Sequence, residues 1–192
     1  MSSTVLRKPI DASPDDMTAT LVLELRAGKA RAGELLDALY RGVLYRFCWG
    51  YLRHATETED AVQDICYKVL SARDIPEHFR PWIYSVARNH CLNLLRSRRR
   101  RKDGQALPEG SVLKAALTGQ LTGLARREMN EALVARVAEL PDSYQEVLRL
   151  RYVEELPRAE IAEVLGLTES VVKSRLFEGL KKLRDQSKDD AL

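Results

Sequence analysis

The sequence holds no apolar run approaching the roughly 20 residues needed to cross a bilayer, which excludes a membrane span. Its N-terminus, MSSTVLRKPIDASPDD, lacks the apolar core of a secretory signal, so the expected location is cytoplasmic. Cysteine is scarce: Cys48, Cys66 and Cys91 form no Cys-x-x-Cys pair. An odd count at wide spacing is neither a disulfide framework nor a zinc knuckle. A glycine-rich phosphate loop and an HExxH pair are absent, as is any credible Ser/His/Asp set, so nothing points to an enzyme, a cofactor or a metal. Strand-like alternation and internal repeats are missing too.

What is present is a chain of 192 residues, 45% hydrophobic and 31% charged. That is apolar enough to fold and long enough for one large domain or two small ones. The formal net charge is only +3, but the charge is segregated. Arg96 to Lys102 reads RSRRRRK, whereas Glu57, Glu59, Asp60 and Asp64 form an acidic patch upstream. Such segregation suggests at least two different contact surfaces.

Residues 1–20 carry Ser, Thr, Pro and Asp without apolar periodicity and read as a mobile arm. Helical stripes follow. Leu35/Leu36, Leu39/Tyr40, Val43/Leu44, Phe47/Cys48 and Tyr51/Leu52 recur every four residues. Ala61/Val62, Ile65/Cys66 and Val69/Leu70 predict a second helix from Thr58 to about Leu70. A third runs from about Pro81 along Trp82/Ile83, Val86/Ala87, His90/Cys91 and Leu94/Leu95, with Pro81 suited to a first turn. These stripes bury one another in a helical domain over 21–102. Residues 103–124 read as a flexible linker. A second helical domain follows over 125–187, with a helix ending at Leu140, another from Asp142 to about Tyr152, a final pair, and a tail over 188–192. The expected fold is all-α: two small helical domains joined by a linker.

The densest local information is LPRAEIAEVLGLTESVVKSRLFEGLKKLR, which reads as a helix-turn-helix. Pro157 can start its first helix, Gly166 sits where a left-handed residue stops it, and Thr168 can cap the second. On a helical wheel Val172, Leu176, Leu180 and Leu183 cluster on the inner side. Ser170, Ser174, Phe177, Glu178 and Lys181 point outward, with Lys173 and Arg175 on opposite flanks. Short polar and apolar side chains facing out, with cations on the rims, are what a major-groove reader needs.

The third helix of the first domain interleaves aromatics with cations and amides, a combination that favours opened or single-stranded DNA. Trp82 and His90 lie on its apolar stripe and read as core. Tyr84, Arg88, Asn89, Asn93 and Arg96 are its surface candidates, and Arg98 and Arg99 in the basic run would grip phosphate.

Together the segments LYRGVLYRFCWGYL, EDAVQDICYKVL, FRPWIYSVARNHCLNLLRSRRRR and ELPDSYQEVLRLRYVEELPRAEIAEVLGLTESVVKSRL, in that order, resemble the sigma-70 family, in its short two-domain extracytoplasmic-function (ECF) group. The resemblance implies that 21–102 binds core RNA polymerase and the -10 promoter element, and that 125–187 reads the -35 element. It makes Asp60, Gln63 and Asp64 candidates for the polymerase contact. Thr168, Lys173, Ser174 and Phe177 match positions that touch -35 DNA in the family. It also implies an anti-sigma partner and no catalysis. Four departures stand out: Lys68-Val69-Leu70 where the family often has tryptophan, a shorter Ser71–His78 loop, Pro157 in place of Ser or Thr, and Glu178 where a basic or neutral residue is common. That loop resembles the one that captures a flipped base.

Three other readings explain less of the sequence. A dimeric duplex-binding regulator would need an apolar seam beyond those assigned to cores. A nuclease would need Asp60 and Asp64 to hold a metal. A redox or metal switch would use Cys48, Cys66, Cys91 and His90, yet all three cysteines fall on apolar stripes, where free cysteine behaves as a small hydrophobe.

Overall fold

Four helices build the N-terminal half of the computed structural model, which describes residues 14–101, 137 and 139–189. They are α1 (Pro14–Arg26), α2 (Arg31–Leu52), α3 (Ala55–Leu70) and α4 (Phe79–Arg101). The four-residue rhythm of α2 buries Leu36, Tyr40, Leu44, Phe47, Cys48 and Tyr51 on one face. Against that face pack Ala61, Val62, Ile65 and Val69 of α3, and Phe79, Ile83, Ala87 and Cys91 of α4. Leu44, Phe47, Ile65 and Ile83 are fully enclosed, each contributing about 1.5–3 kcal/mol of burial. The α2–α3 corner is tight. Arg53 adopts the left-handed conformation (φ 57°) and its N–H donates to Trp49 O, after which His54 Nδ1 accepts from the Glu57 N–H at 3.5 Å.

The chain is helical from Pro14, not only beyond residue 20. Leu21 of α1 is fully buried against α2, so burial of a short apolar patch orders a segment whose Ser/Thr/Asp content reads as coil. Arg26 at its end donates to Ile75 O through Nε (3.1 Å) and Nη2 (2.9 Å), tying α1 to the loop before α4. Helices α3 and α4 begin three and two residues earlier than their apolar stripes suggest, at Ala55 and Phe79. The arm over 1–13, the linker over 103–124 and nearly all of the helix expected to end at Leu140 lie outside the described residues.

The C-terminal half comprises α5 (Asp142–Tyr152), α6 (Arg158–Leu165) and α7 (Glu169–Asp189). Gly166 stops α6 with φ 64°, and Leu167 N–H returns to Ala162 O at 2.9 Å. Thr168 then caps α7, its Oγ1 accepting from Val171 N–H at 3.4 Å. Val172 and Leu176 are buried as the wheel predicts, but Leu180 is 38% exposed. The contact with α5 is centred one residue earlier, on Gly179. A Cβ there would lie 3.2 Å from Leu148 Cδ1 and 3.4 Å from Tyr144 Cβ, so the absent side chain lets the helices close and turns Leu180 off the seam.

Among the described residues the structure is all-α, and no helix is long and apolar enough to cross a membrane. Both halves share one continuous cluster of buried apolar residues, with α4 packed on α6.

His90 is nearly enclosed in the N-terminal half. Lys68 Nζ donates to its Nδ1 at 2.7 Å, and its Nε2 lies 3.5 Å from Asp64 Oδ2. Burial, then the Lys68 charge, push its pKa below the ordinary imidazole value, with Asp64 opposing. The folded state therefore resists protonation more than the unfolded chain does. Stability should be full at pH 7.5 and fall as pH drops below about 6.5, where unfolded imidazole takes up its proton. Urea midpoints at pH 7.5 and 5.5 test this: the wild-type midpoint should fall on acidification, and the fall should shrink in H90Q. A second variant, Gly166→Val, forces a β-branched residue into the left-handed region. It should destabilise the C-terminal half by about 1–2 kcal/mol, seen as a lowered thermal midpoint.

Candidate nucleic-acid interface

Three surfaces carry the candidate residues. On α3, Asp60, Gln63 and Asp64 are all exposed. At helical spacing they continue into Tyr67, 74% exposed, and Leu70, 47% exposed. Sequence reasoning missed Tyr67. Its signal is an aromatic that falls off the stripe Ala61–Val62–Ile65–Val69, where solvent exposure has no packing benefit. An acidic helix face ending in bare apolar groups fits a protein partner better than a polyanion.

The second surface is α4. Asn89, Asn93 and Arg96 are exposed, with Arg96 Nη1 donating to Asn93 Oδ1 at 2.9 Å. Tyr84, expected at the surface, is 3% exposed. Its ring meets Phe47 edge-on at 5.1 Å, and its hydroxyl donates to Glu154 Oε2 at 3.1 Å. Burial, then the neighbouring Glu154 charge, push its phenol far above the ordinary value. Arg88 is half-buried, donating to Glu146 through Nε (2.5 Å) and Nη2 (2.9 Å), and Tyr51 donates to the same carboxylate at 2.9 Å. Both corrections have one cause: the C-terminal half lies on this face of α4, which no local pattern reveals.

Arg98 turns inward, donating to Leu52 O at 3.3 Å and pairing with Glu57, so it braces the α2–α3 corner in this arrangement. The Arg99 side chain lies outside the described residues. Trp82 is half-buried rather than core, tilted against Phe79 at 5.7 Å. It borders an open groove beside the 71–78 loop, lined also by Pro76, Glu77, His78, Pro81, Ser85 and Glu163 of α6.

The third surface is α7. Thr168, Ser170, Lys173, Ser174 and Lys181 are exposed, Arg175 is half-exposed, and Phe177 is 66% exposed. Thr168 and Ser170 hydroxyls meet at 2.9 Å, fixing the helix start. The turn thus presents Ser174 and Phe177 between flanking cations, and Glu178 is half-buried at the edge of that face.

The residue that joins the two halves was not among the sequence candidates. Arg149 of α5 is 1% exposed. Its guanidinium lies 4.4 Å from the Phe47 ring centre and 4.7 Å from that of Tyr51, and Nη2 donates to Phe47 O. Its Nε stands 3.8 Å from Glu154 Oε1. Burial raises the Glu154 carboxyl above its ordinary pKa, against the pull of Arg149. The available signal was an arginine set between Leu148 and Leu150, in the buried run Val147–Leu150 of α5. Cys48 and Cys91 are fully buried. The Cys48 hydrogen bond to Cys91, then burial, push its thiol far up, which makes it a poor thiolate.

Residues 36–101 match the family model for Sigma-70 region 2, and residues 130–183 match that for Sigma-70, region 4. The chain is similar to the ECF RNA polymerase sigma factor SigW of Bacillus subtilis, 29% identical over 180 residues, 88% of this chain and 95% of the relative. With the ECF RNA polymerase sigma factor SigL of Mycobacterium tuberculosis it is 30% identical over 176 residues, 83% of this chain and 93% of that one. Among solved structures it is similar to CnrH in complex with the cytosolic domain of CnrY, with a TM-score of 0.65 at 21% identity, covering 91% of this chain and 99% of the other. It is also similar to the sigma factor RpoE in complex with the anti-sigma factor NepR from Bartonella quintana, with a TM-score of 0.61 at 19% identity, covering 83% and 98%. At such identity the solved structures speak for the helical fold alone.

Proposed function

This chain belongs to the sigma-70 family of RNA polymerase sigma factors, in its ECF group, and from that premise we propose how its surfaces divide the work of initiation. As a sigma factor it binds core RNA polymerase and directs it to promoters. We read it as a cytoplasmic subunit without catalysis of its own. The α3 face of Asp60, Gln63 and Asp64, extended by Tyr67 and Leu70, docks on polymerase. The exposed α4 residues Asn89, Asn93 and Arg96, with Arg99, engage the -10 element and help hold its strands apart, whereas Tyr84, Arg88 and Arg98 are held in contacts within the protein. Thr168, Ser170, Lys173, Ser174, Arg175, Phe177 and Lys181 read the -35 duplex. Tethering two weak readers on one chain raises their combined affinity when both sites are spanned. An anti-sigma protein is the expected regulator, as one similar solved structure is a sigma factor held by an anti-sigma factor.

The observation that carries the reading is Phe177, an aromatic two-thirds exposed on a helix whose start is fixed by Gly166 and Thr168. A thymine methyl is a chemically apt partner for it. Run-off transcription with core polymerase on a random promoter library tests the whole assignment. Adding the chain should select promoters sharing two spaced elements. F177A should cut use of those promoters about tenfold, the order expected for one base contact worth 1–3 kcal/mol. Y67S should weaken co-elution with core while leaving the fold intact by circular dichroism. Selection unchanged by F177A, or by omission of the chain, would contradict the reading.

A further inference from the structure

Two groups that helix spacing would pair are instead divided between the two nitrogens of one buried ring. Asp64 and Lys68 stand four residues apart on the exposed face of α3, where a carboxylate and an ammonium are natural partners. Lys68 Nζ turns across to α4 and donates to His90 Nδ1 at 2.7 Å. An ammonium has no lone pair to offer, so Nδ1 can only accept, and the hydrogen of the neutral ring sits on Nε2. That nitrogen is buried without a hydrogen-bond partner, and Asp64 Oδ2 faces it at 3.5 Å. The ring is 9% exposed and the Asp64 side chain 66%. A buried imidazole thus meets the exposed α3 face from behind, tying back Lys68 at one end and stopping just short of Asp64 at the other. Among the described residues Lys68 and Asp64, both of α3, are the charged groups that act on the ring. From α2 comes the neutral Cys48 thiol, bonded to the neighbouring Cys91, and the C-terminal half adds no charge there.

With Nδ1 filled by its bond, Lys68 is held over α4 and Asp64 stays open to a partner. Adding a proton reverses this. The proton can enter only at Nδ1, which then ceases to accept, so Lys68 loses its bond and faces a like charge. At the other nitrogen the N–H becomes that of a cation and draws the Asp64 carboxylate inward, closing the remaining gap into a charge-assisted hydrogen bond. A face that offered a free carboxylate then offers a free ammonium beside a neutralised one.

We propose that His90 and Lys68 are a positioning pair for the α3 docking face, in which the neutral ring keeps Asp64 open to polymerase and protonation of the ring withdraws it. The proposal rests on the reading of Asp64 as a polymerase contact. Burial and the Lys68 charge hold the ring below its ordinary pKa, so the neutral arrangement prevails at pH 7.5 and gives way only as pH falls below about 6.5. Two measurements on the full-length chain test it: affinity for core polymerase at pH 7.5 and 5.0, read by the anisotropy of an N-terminal dye, and an NMR titration of the ring nitrogens and the Asp64 carboxyl carbon. The wild type should bind core about fivefold more weakly at pH 5.0, the order of one exposed ion pair. H90Q supplies an amide oxygen for Lys68 and an N–H for Asp64 but takes up no proton, so this ratio should collapse. NMR should place the ring hydrogen on Nε2 at pH 7.5, and the Asp64 carboxyl should shift at the midpoint of the ring. In K68Q, which removes the neighbouring charge, that midpoint should rise. No weakening of the wild type at pH 5.0, equal weakening of H90Q, a ring hydrogen on Nδ1, or a midpoint unmoved in K68Q would overturn the proposal. D64N binding core as tightly as the wild type at pH 7.5 would instead overturn the reading of α3 beneath it.

Discussion

The arrangement of the molecule depends on one buried cation. Arg149 leaves its own helix bundle and enters the aromatic pocket of the other, between Phe47 and Tyr51. Removing a guanidinium from water costs several kcal/mol, and it is offset here by two ring faces, each worth about 2 kcal/mol when desolvated, a bond to Phe47 O and the nearby Glu154 carboxylate. This contact holds the halves in register, and the seam decides which residues of α4 face solvent and which face protein.

Function then follows from what the seam leaves uncovered. The α3 face with Tyr67 and the α7 face with Phe177 present large exposed side chains that packing does not explain, and each suits a different partner: an acidic and apolar face for protein, a cation-flanked face for duplex. Between them, α4 offers Asn89, Asn93 and Arg96 to solvent but keeps Tyr84 and Arg88 against the C-terminal half. A subunit with separate surfaces for a machine, for duplex and for opened strands is what membership of this family requires.

Much of this was legible in the sequence because it is local. The helix expected from Asp142 to about Tyr152 is α5, and the α6–α7 turn was readable from Gly166 and Thr168, whose backbone conformation and hydroxyl do what their chemistry predicts. Outward placement of Ser174 and Phe177 follows from helical phase alone. What was not legible is tertiary. The start of α1 is set by burial of Leu21 against α2, Leu180 is displaced by the close approach at Gly179, and Tyr84 is hidden by a half that lies some seventy residues further along the chain. Arg149 left a trace, a charge between Leu148 and Leu150, but its pocket is assembled from residues about a hundred positions away.

The central claim is that this polypeptide reads two DNA elements while mounted on polymerase. Footprinting combined with permanganate probing of a promoter selected by run-off measures that directly. The account predicts protection over both elements and reactive, unpaired thymines at the -10 element only when core and chain are both present. Equal protection and strand opening by the chain without core, or by core without the chain, would contradict it.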